Sequence, residues 1–209
     1  MKILFLGDSI TDMFRNREVD EAIDSYGNSY VFIVKSKLSE VNPNKYQIIN
    51  KGNGGDRSVD LYARIKKDVW NYKPDVLSIL VGINDIWHDV SHDNGVDIVR
   101  YERIYRMIIE DTLKELPNVK IILCEPFILN SAFRKDDYYK LVEAYEYAKI
   151  VRKLSSEYNL EFVELQKPFI EASSKYGIET YLYDGVHPNV AGATLIANEW
   201  LKTFKKIDK

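Results

Sequence analysis

The sequence predicts an α/β protein, built as a three-layer α/β/α sandwich around a parallel sheet. Short apolar runs alternate with helix-like segments along the chain. Several of these runs are almost continuously apolar, which is typical of strands covered by helices on both faces. The 209 residues are 45% hydrophobic and 29% charged. We therefore expect one domain over residues 1–209, with a core large enough to need no disulfide or metal.

Five apolar runs predict five strands, at 2–6, 46–50, 75–81, 119–124 and 161–165. Apolar residues spaced three and four apart, with charged residues opposite, predict helices at 58–72, 99–116 and 137–158. A closing helix is expected from Pro188 to about Ile207. Its proline suits a first turn, and its lysines lie near the end, where cations favour the helix dipole.

Composition excludes several classes of function. The formal net charge is −3, and the basic residues form no stripe, so we expect no nucleic-acid partner. No apolar stretch approaches the roughly 18 residues that cross a bilayer. Without a signal-peptide pattern at the start, we expect a cytoplasmic location. The single cysteine, Cys124, lies in an apolar run and should pack as a small hydrophobic residue.

The first strand stops at Gly7-Asp8-Ser9. Parallel α/β sheets present ligands and chemistry at the carboxyl ends of their strands, so Ser9 is a candidate nucleophile. Serine at this place is also a common helix N-cap, and this structural role remains open.

Polar and glycine-rich residues also follow the second and third strands. The glycines at 52, 54 and 55 leave backbone amides free to bind an oxyanion, whereas a phosphate loop is disfavoured because the Walker lysine is missing. Asn84 is a second candidate oxyanion donor, with a helix cap or an Asx-turn as its alternative. For Asp85 the local capping role is the favoured interpretation.

The last loop contains Asp184 and His187, three residues apart. This spacing lets the carboxylate reach the imidazole Nδ1 and fix its tautomer. His88 and His92, the other two histidines, are expected in a polar, exposed loop. No glutamate follows His88 as a zinc-protease motif would require, so we assign no metal site.

Four stretches, each at a predicted strand end or terminal loop, together resemble the SGNH hydrolases, also called the GDSL esterase/lipase family: Gly7-Asp8-Ser9, the Gly55 loop, Gly82-Ile83-Asn84-Asp85 and Asp184-Gly185-Val186-His187. The resemblance spans nearly the whole chain and implies a flavodoxin-like sheet of five parallel strands.

The resemblance also implies roles for these residues. Ser9 would be the nucleophile, His187 the general base and Asp184 the residue that orients it. The amides of Ser9 and Gly55 and the Asn84 side chain would form the oxyanion hole. Gly54 is an alternative donor, although the family's spacing favours Gly55.

Within the family, segments 7–12, 50–52, 81–87 and 187–192 are most similar to the intracellular acetylxylan esterases. This likeness implies a serine esterase without a cofactor that deacetylates xylo-oligosaccharides or related sugars through an acetyl-enzyme. Trp87 and Tyr183 are candidates for stacking on a sugar ring, although such aromatics are more often core.

Two alternatives remain. One is a thioesterase or lysophospholipase of the same fold, which would need a groove for a longer acyl chain. The other is a catalytically silent carbohydrate-binding protein, which the intact serine, base and oxyanion donors argue against. The expected partner is a small acyl ester or acetylated oligosaccharide. A homo-oligomer is supported only by the family resemblance.

Overall fold

The computed structural model describes residues 1–129 and 139–208 and contains a five-stranded sheet with the order β2-β1-β3-β4-β5. All neighbouring strands are parallel. The strands are β1 (Lys2–Gly7), β2 (Gln47–Gly52), β3 (Val76–Leu80), β4 (Lys120–Cys124) and β5 (Glu161–Val163). The predicted fold class is confirmed, and this strand order is the flavodoxin-like one.

Helices connect and follow the strands. In the described part of the chain they are α1 (Ser9–Asp12), α2 (Tyr30–Val41), α3 (Ser58–Asp68), α4 (Ile83–His92), α5 (Ile98–Glu115), α6 (Tyr139–Glu157), α7 (Gln166–Tyr176) and α8 (Val190–Phe204). Short 3-10 helices lie at Ile23–Tyr26, Trp70–Tyr72 and Ile178–Thr180. Within those same residues, no helix combines the length and apolar character that spanning a bilayer requires.

The helices form two layers. Because β2 and β3 lie on opposite sides of β1, right-handed crossovers place α2 on one face and α3 and α5 on the other. Accordingly, α2 packs against α8, whereas α3 packs against α5 and α5 against α6. Residues 3–6 of β1 are completely buried between the layers. Trp200 of α8 packs against Phe5 and donates from Nε1 to Ser78 Oγ at 3.0 Å.

Two local predictions are wrong. Pro188 does not lie in the first turn of the closing helix, because Asn189 is the N-cap of α8 and accepts from the amides of Ala191 and Gly192. His88 and His92 lie on α4 and not in a loop. Helices α2 and α7 were not predicted, and residues 137 and 138 of the predicted 137–158 helix lie outside the described residues.

Candidate active site

Ser9 lies at the carboxyl end of the central strand β1, as the first residue of the one-turn helix α1. Its neighbour Asp8 is the N-cap, since Asp8 Oδ1 accepts from the amide of Ile10 at 3.0 Å. The Ser9 hydroxyl is therefore not used for capping. Ser9 Oγ lies 2.9 Å from His187 Nε2, so the structure joins two residues that are 178 positions apart in sequence.

A short closed loop positions His187. The Tyr183 amide donates to His187 O at 2.8 Å, and the Asn189 amide donates to Tyr181 O at 3.0 Å. From the segment after β4, the amide of Leu129 donates to Gly185 O at 3.0 Å. These bonds fix the ends and the tip of the loop.

Asp184 holds the imidazole from the side opposite Ser9. Its Oδ2 lies 2.6 Å from His187 Nδ1, and its Oδ1 accepts from the amides of Val186 at 3.0 Å and His187 at 2.8 Å. Partial burial works to raise the pKa of Asp184, but these three hydrogen bonds outweigh it and hold the pKa at about 2. Asp184 is therefore ionised near neutral pH.

The hydrogen bond that His187 donates to Asp184 also raises the pKa of His187, against the effect of burial. Asp8 adds to this shift from behind the serine. Burial raises the pKa of Asp8 itself to about 7, and its Oδ2 has no hydrogen-bond partner among the described residues. A neutral His187 facing the hydroxyl can accept its proton, and the adjacent carboxylates stabilise the resulting imidazolium.

The two candidate oxyanion donors besides Ser9 lie in the first turn of α4 and in the loop between β2 and α3. Asn84, in the first turn of α4, donates from Nδ2 to Asp56 O at 3.0 Å, which ties it to the loop of Gly55. Gly55 has φ +87°, a conformation that favours glycine. Among residues 1–129 and 139–208, its amide has no acceptor, whereas the Gly54 amide donates to Asp12 Oδ2 at 2.9 Å. This difference favours Gly55 over Gly54 as the free donor.

The remaining candidates are placed as follows. Trp87 is half-buried on α4 and packs against the core. The Tyr183 side chain is 71% exposed, directly before Asp184. His88 and His92 have ring centroids 5.2 Å apart on α4. No group of three or more metal-ligating side chains is found in the described part of the chain.

The sequence and the fold are similar to those of known proteins. Residues 5–195 match the model of the GDSL-like lipase/acylhydrolase family. The chain belongs to this family. It is 34% identical over 208 residues to an acetylxylan esterase from Geobacillus stearothermophilus, covering 96% of this chain and 92% of that protein. The family prediction is confirmed, and this GDSL hydrolase is a carboxylic ester hydrolase.

Two solved structures of similar proteins support this family assignment. A putative GDSL-like lipase from Parabacteroides merdae superposes with a TM-score of 0.92 at 35% identity, covering 98% of this chain and 95% of that one. A variant of the Geobacillus stearothermophilus acetylxylan esterase gives 0.87 at 33% identity, with 97% and 93% covered.

Sequence reasoning missed two carboxylates of this GDSL hydrolase. Asp12 is buried and accepts from Gly54, and it also pairs with Arg17. Asp85 is not a local cap: its carboxylate accepts from the Ser58 amide at 3.0 Å and from Ser58 Oγ at 2.5 Å. Burial raises the pKa of Asp85 to about 7, despite these bonds. The donors Gly54 and Ser58 are distant in sequence from these carboxylates, so no local pattern indicates the two contacts.

Proposed function

We propose that this GDSL hydrolase removes acetyl groups from acetylated sugars, such as xylo-oligosaccharides, through an acetyl-enzyme. The observation that carries the proposal is the hydrogen-bonded series from Ser9 Oγ to His187 Nε2 and from His187 Nδ1 to Asp184 Oδ2, at 2.9 and 2.6 Å. The similarity to the Geobacillus acetylxylan esterase supports the substrate class.

In the first half of the reaction, Ser9 Oγ attacks the acetyl carbonyl while His187 Nε2 takes the hydroxyl proton. Asp184 stays ionised and stabilises the imidazolium. The tetrahedral intermediate carries its negative charge on the former carbonyl oxygen. The amides of Ser9 and Gly55 and the Asn84 side chain donate to that oxygen.

The intermediate collapses when His187 gives its proton to the departing sugar hydroxyl. Acetate then remains esterified to Ser9. A water molecule enters, loses a proton to His187 and attacks the same carbonyl. Collapse of this second intermediate returns the proton to Ser9 Oγ and releases acetic acid, so no cofactor is required.

Named variants of the relative support the residue roles. Solved structures of the Geobacillus acetylxylan esterase include catalytic mutants in which an aspartate, a serine and a histidine are each changed to alanine. Their aspartate and histidine are three positions apart, which is the spacing of Asp184 and His187. A tryptophan directly before that aspartate has also been replaced, where this chain has Tyr183.

We expect two aromatic side chains to contact the sugar. Tyr183 is exposed and lies next to Asp184 in the loop that ends at His187, and Trp87 follows Asn84 by three residues on α4. Flat aromatic rings stack well on sugar rings, which suits both residues to bind the leaving group.

The test is acetate release from acetylated xylo-oligosaccharides, run beside 4-nitrophenyl acetate, 4-nitrophenyl octanoate and an acyl-CoA. The proposal expects acetate release that is lost in Ser9→Ala and retained in Ser36→Ala, which changes an exposed serine on α2. Preference for the octanoyl ester or the acyl-CoA would contradict it in favour of a lipase or thioesterase. Sugar binding without hydrolysis would leave only a carbohydrate-binding role.

A further inference from the structure

A cavity of about 440 Å³ lies beside the loop that carries Gly55. We call it the basic cavity, because five cationic side chains line it: Arg15, Arg17, Lys51, Arg64 and Lys67. Three carboxylates also line it: Glu18, Asp20 and Asp68. The lining therefore holds five cations and three carboxylates, and two further carboxylates, Asp12 and Asp56, pair with the cations from outside the lining.

Three of the cations are already bound by carboxylates. Arg64 pairs with Asp56 at 2.7 Å and with Asp68 at 2.8 Å. Lys51 pairs with Asp20 at 2.6 Å, and Arg17 pairs with Asp12. Within residues 1–129 and 139–208, this leaves Arg15 and Lys67 without a carboxylate partner.

The guanidinium group of Arg15 makes one hydrogen bond to the described residues. Its Nε donates to Gly52 O at 2.8 Å, while its two terminal nitrogens donate to no acceptor among the described residues. One of them, Nη1, is buried without a partner. Burial lowers the pKa of Arg15, and the nearby cations Arg17 and Arg64 add to this shift, while the carboxylates of Asp12 and Asp68 oppose it. An anion in the cavity would supply an acceptor to the accessible terminal nitrogen, Nη2, and add negative charge near the guanidinium.

The basic cavity and the active site share one loop. Asn53 lines the cavity, and its amide donates to Gly7 O at 3.0 Å, two residues before Ser9. The next residue, Gly54, lies on the Ser9 side, because a Cβ built on it would be 3.9 Å from Ser9 Cβ. To reach the basic cavity, a group attached to an ester bound at Ser9 would have to extend past this loop.

We propose that the basic cavity binds the carboxylate of a uronic acid unit attached to the acetylated oligosaccharide. A planar, singly charged carboxylate matches an arginine with free terminal nitrogens, with Lys67 as a second cation. The three carboxylates of the wall repel a phosphate dianion, but they accept hydrogen bonds from sugar hydroxyls. This specificity rests on the proposed deacetylase function, because it assigns a subsite of the same substrate.

The test compares two acetylated xylo-oligosaccharides of equal length, one neutral and one carrying a glucuronic acid unit. The expected kcat/KM is at least about tenfold higher for the acidic substrate, the lower end of the contribution of one charge-assisted hydrogen bond. Lys67→Gln and Arg15→Gln should each bring this ratio towards one. Lys66→Gln removes the neighbouring exposed lysine, which lines a different cavity, and should keep the ratio. Equal kcat/KM for both substrates in the unmodified protein would overturn the assignment.

A binding measurement keeps the inference separate from the proposed function. Titration calorimetry with deacetylated acidic and neutral xylo-oligosaccharides requires no hydrolysis. Tighter binding of the acidic sugar that is lost in Lys67→Gln supports the uronate subsite, even if no acetate is released from any sugar. Binding of inorganic phosphate as tight as that of the acidic sugar would overturn the assignment in favour of a general anion site. Failure of the neutral acetylated substrate alone counts against the proposed function only.

Discussion

Asp12 offers a sharp test of how the oxyanion loop is held. Its buried carboxylate accepts from the Gly54 amide at 2.9 Å and lies one helical turn after Ser9. That bond fixes the peptide next to Gly55, whose amide is the free donor of the loop. On the proposed mechanism, replacing Asp12 with alanine should let the Gly55 amide move away from the oxygen that it stabilises.

The expected loss of kcat in Asp12→Ala follows from the strength of the hydrogen bond between the Gly54 amide and Asp12. A hydrogen bond to a charged group contributes about 1.5–3 kcal/mol. If the whole loss is felt in the transition state, kcat falls about 10- to 150-fold. Complete removal of an oxyanion donor costs about 10²–10³ in kcat, which sets the upper limit. KM should change little, because the donor acts mainly on charge that develops during the reaction.

The assay is steady-state hydrolysis of 4-nitrophenyl acetate. Asp12→Asn keeps an acceptor for the Gly54 amide and should recover most of kcat. Arg17→Ala removes only the ion pair, and since the Arg17 side chain is 51% exposed, it should lower kcat by less than about threefold. Wild-type kcat in Asp12→Ala, or an equal loss in Arg17→Ala, would refute the positioning role. Circular dichroism and Tm check that each variant folds.

Three further predictions concern the same site. Asn84→Ala should lower kcat on 4-nitrophenyl acetate about 10²–10³-fold with a smaller change in KM, and wild-type turnover would exclude its role as a donor. Only neutral His187 can accept the Ser9 proton, and its pKa is raised above 6.5, so kcat/KM should rise with pH through an apparent pKa above 6.5. Asp184→Asn should shift this rise to lower pH, and an unchanged profile would contradict the assignment. In Gly192→Ala, the new Cβ would overlap the Tyr181 carbonyl oxygen next to the His187 loop. Tm and activity should both fall, since overpacking costs about 1–3 kcal/mol, and a wild-type Tm would show that the loop can adapt.

The strands were predictable because burial on both faces leaves a nearly continuous apolar run, interrupted in β3 only by Ser78. The residues at the strand ends were predictable for a related reason: parallel strands bring Ser9 and Asn84 to one edge of the sheet. Helix α4 was missed although Ile83, Ile86, Trp87 and Val90 recur at three- and four-residue spacing, as on one face of a helix. The polar residues around His88 and His92 favoured the prediction of a loop instead.

The contributions of Asp12 and Asp85 could not be predicted from sequence. The Gly54 amide that donates to Asp12 is 42 residues away, and the Ser58 donors to Asp85 are 27 residues away. Burial of a carboxylate contradicts the usual preference of aspartate for the surface, and only the folded chain shows which donors compensate it. Likewise, the closing helix begins one residue after Asn189 because that side chain caps it, which the position of Pro188 did not reveal.

The bond between Asp85 and Ser58 determines how rigid the active site is before an ester binds. This bond connects the start of α3, just after the Gly55 loop, to the first turn of α4, which carries Asn84. The two donors are therefore held at a fixed separation. On the proposed mechanism, the dipoles that receive the developing negative charge are fixed before any ligand arrives. Soaking the protein with an acetyl transition-state mimic should therefore leave both backbones where they already are.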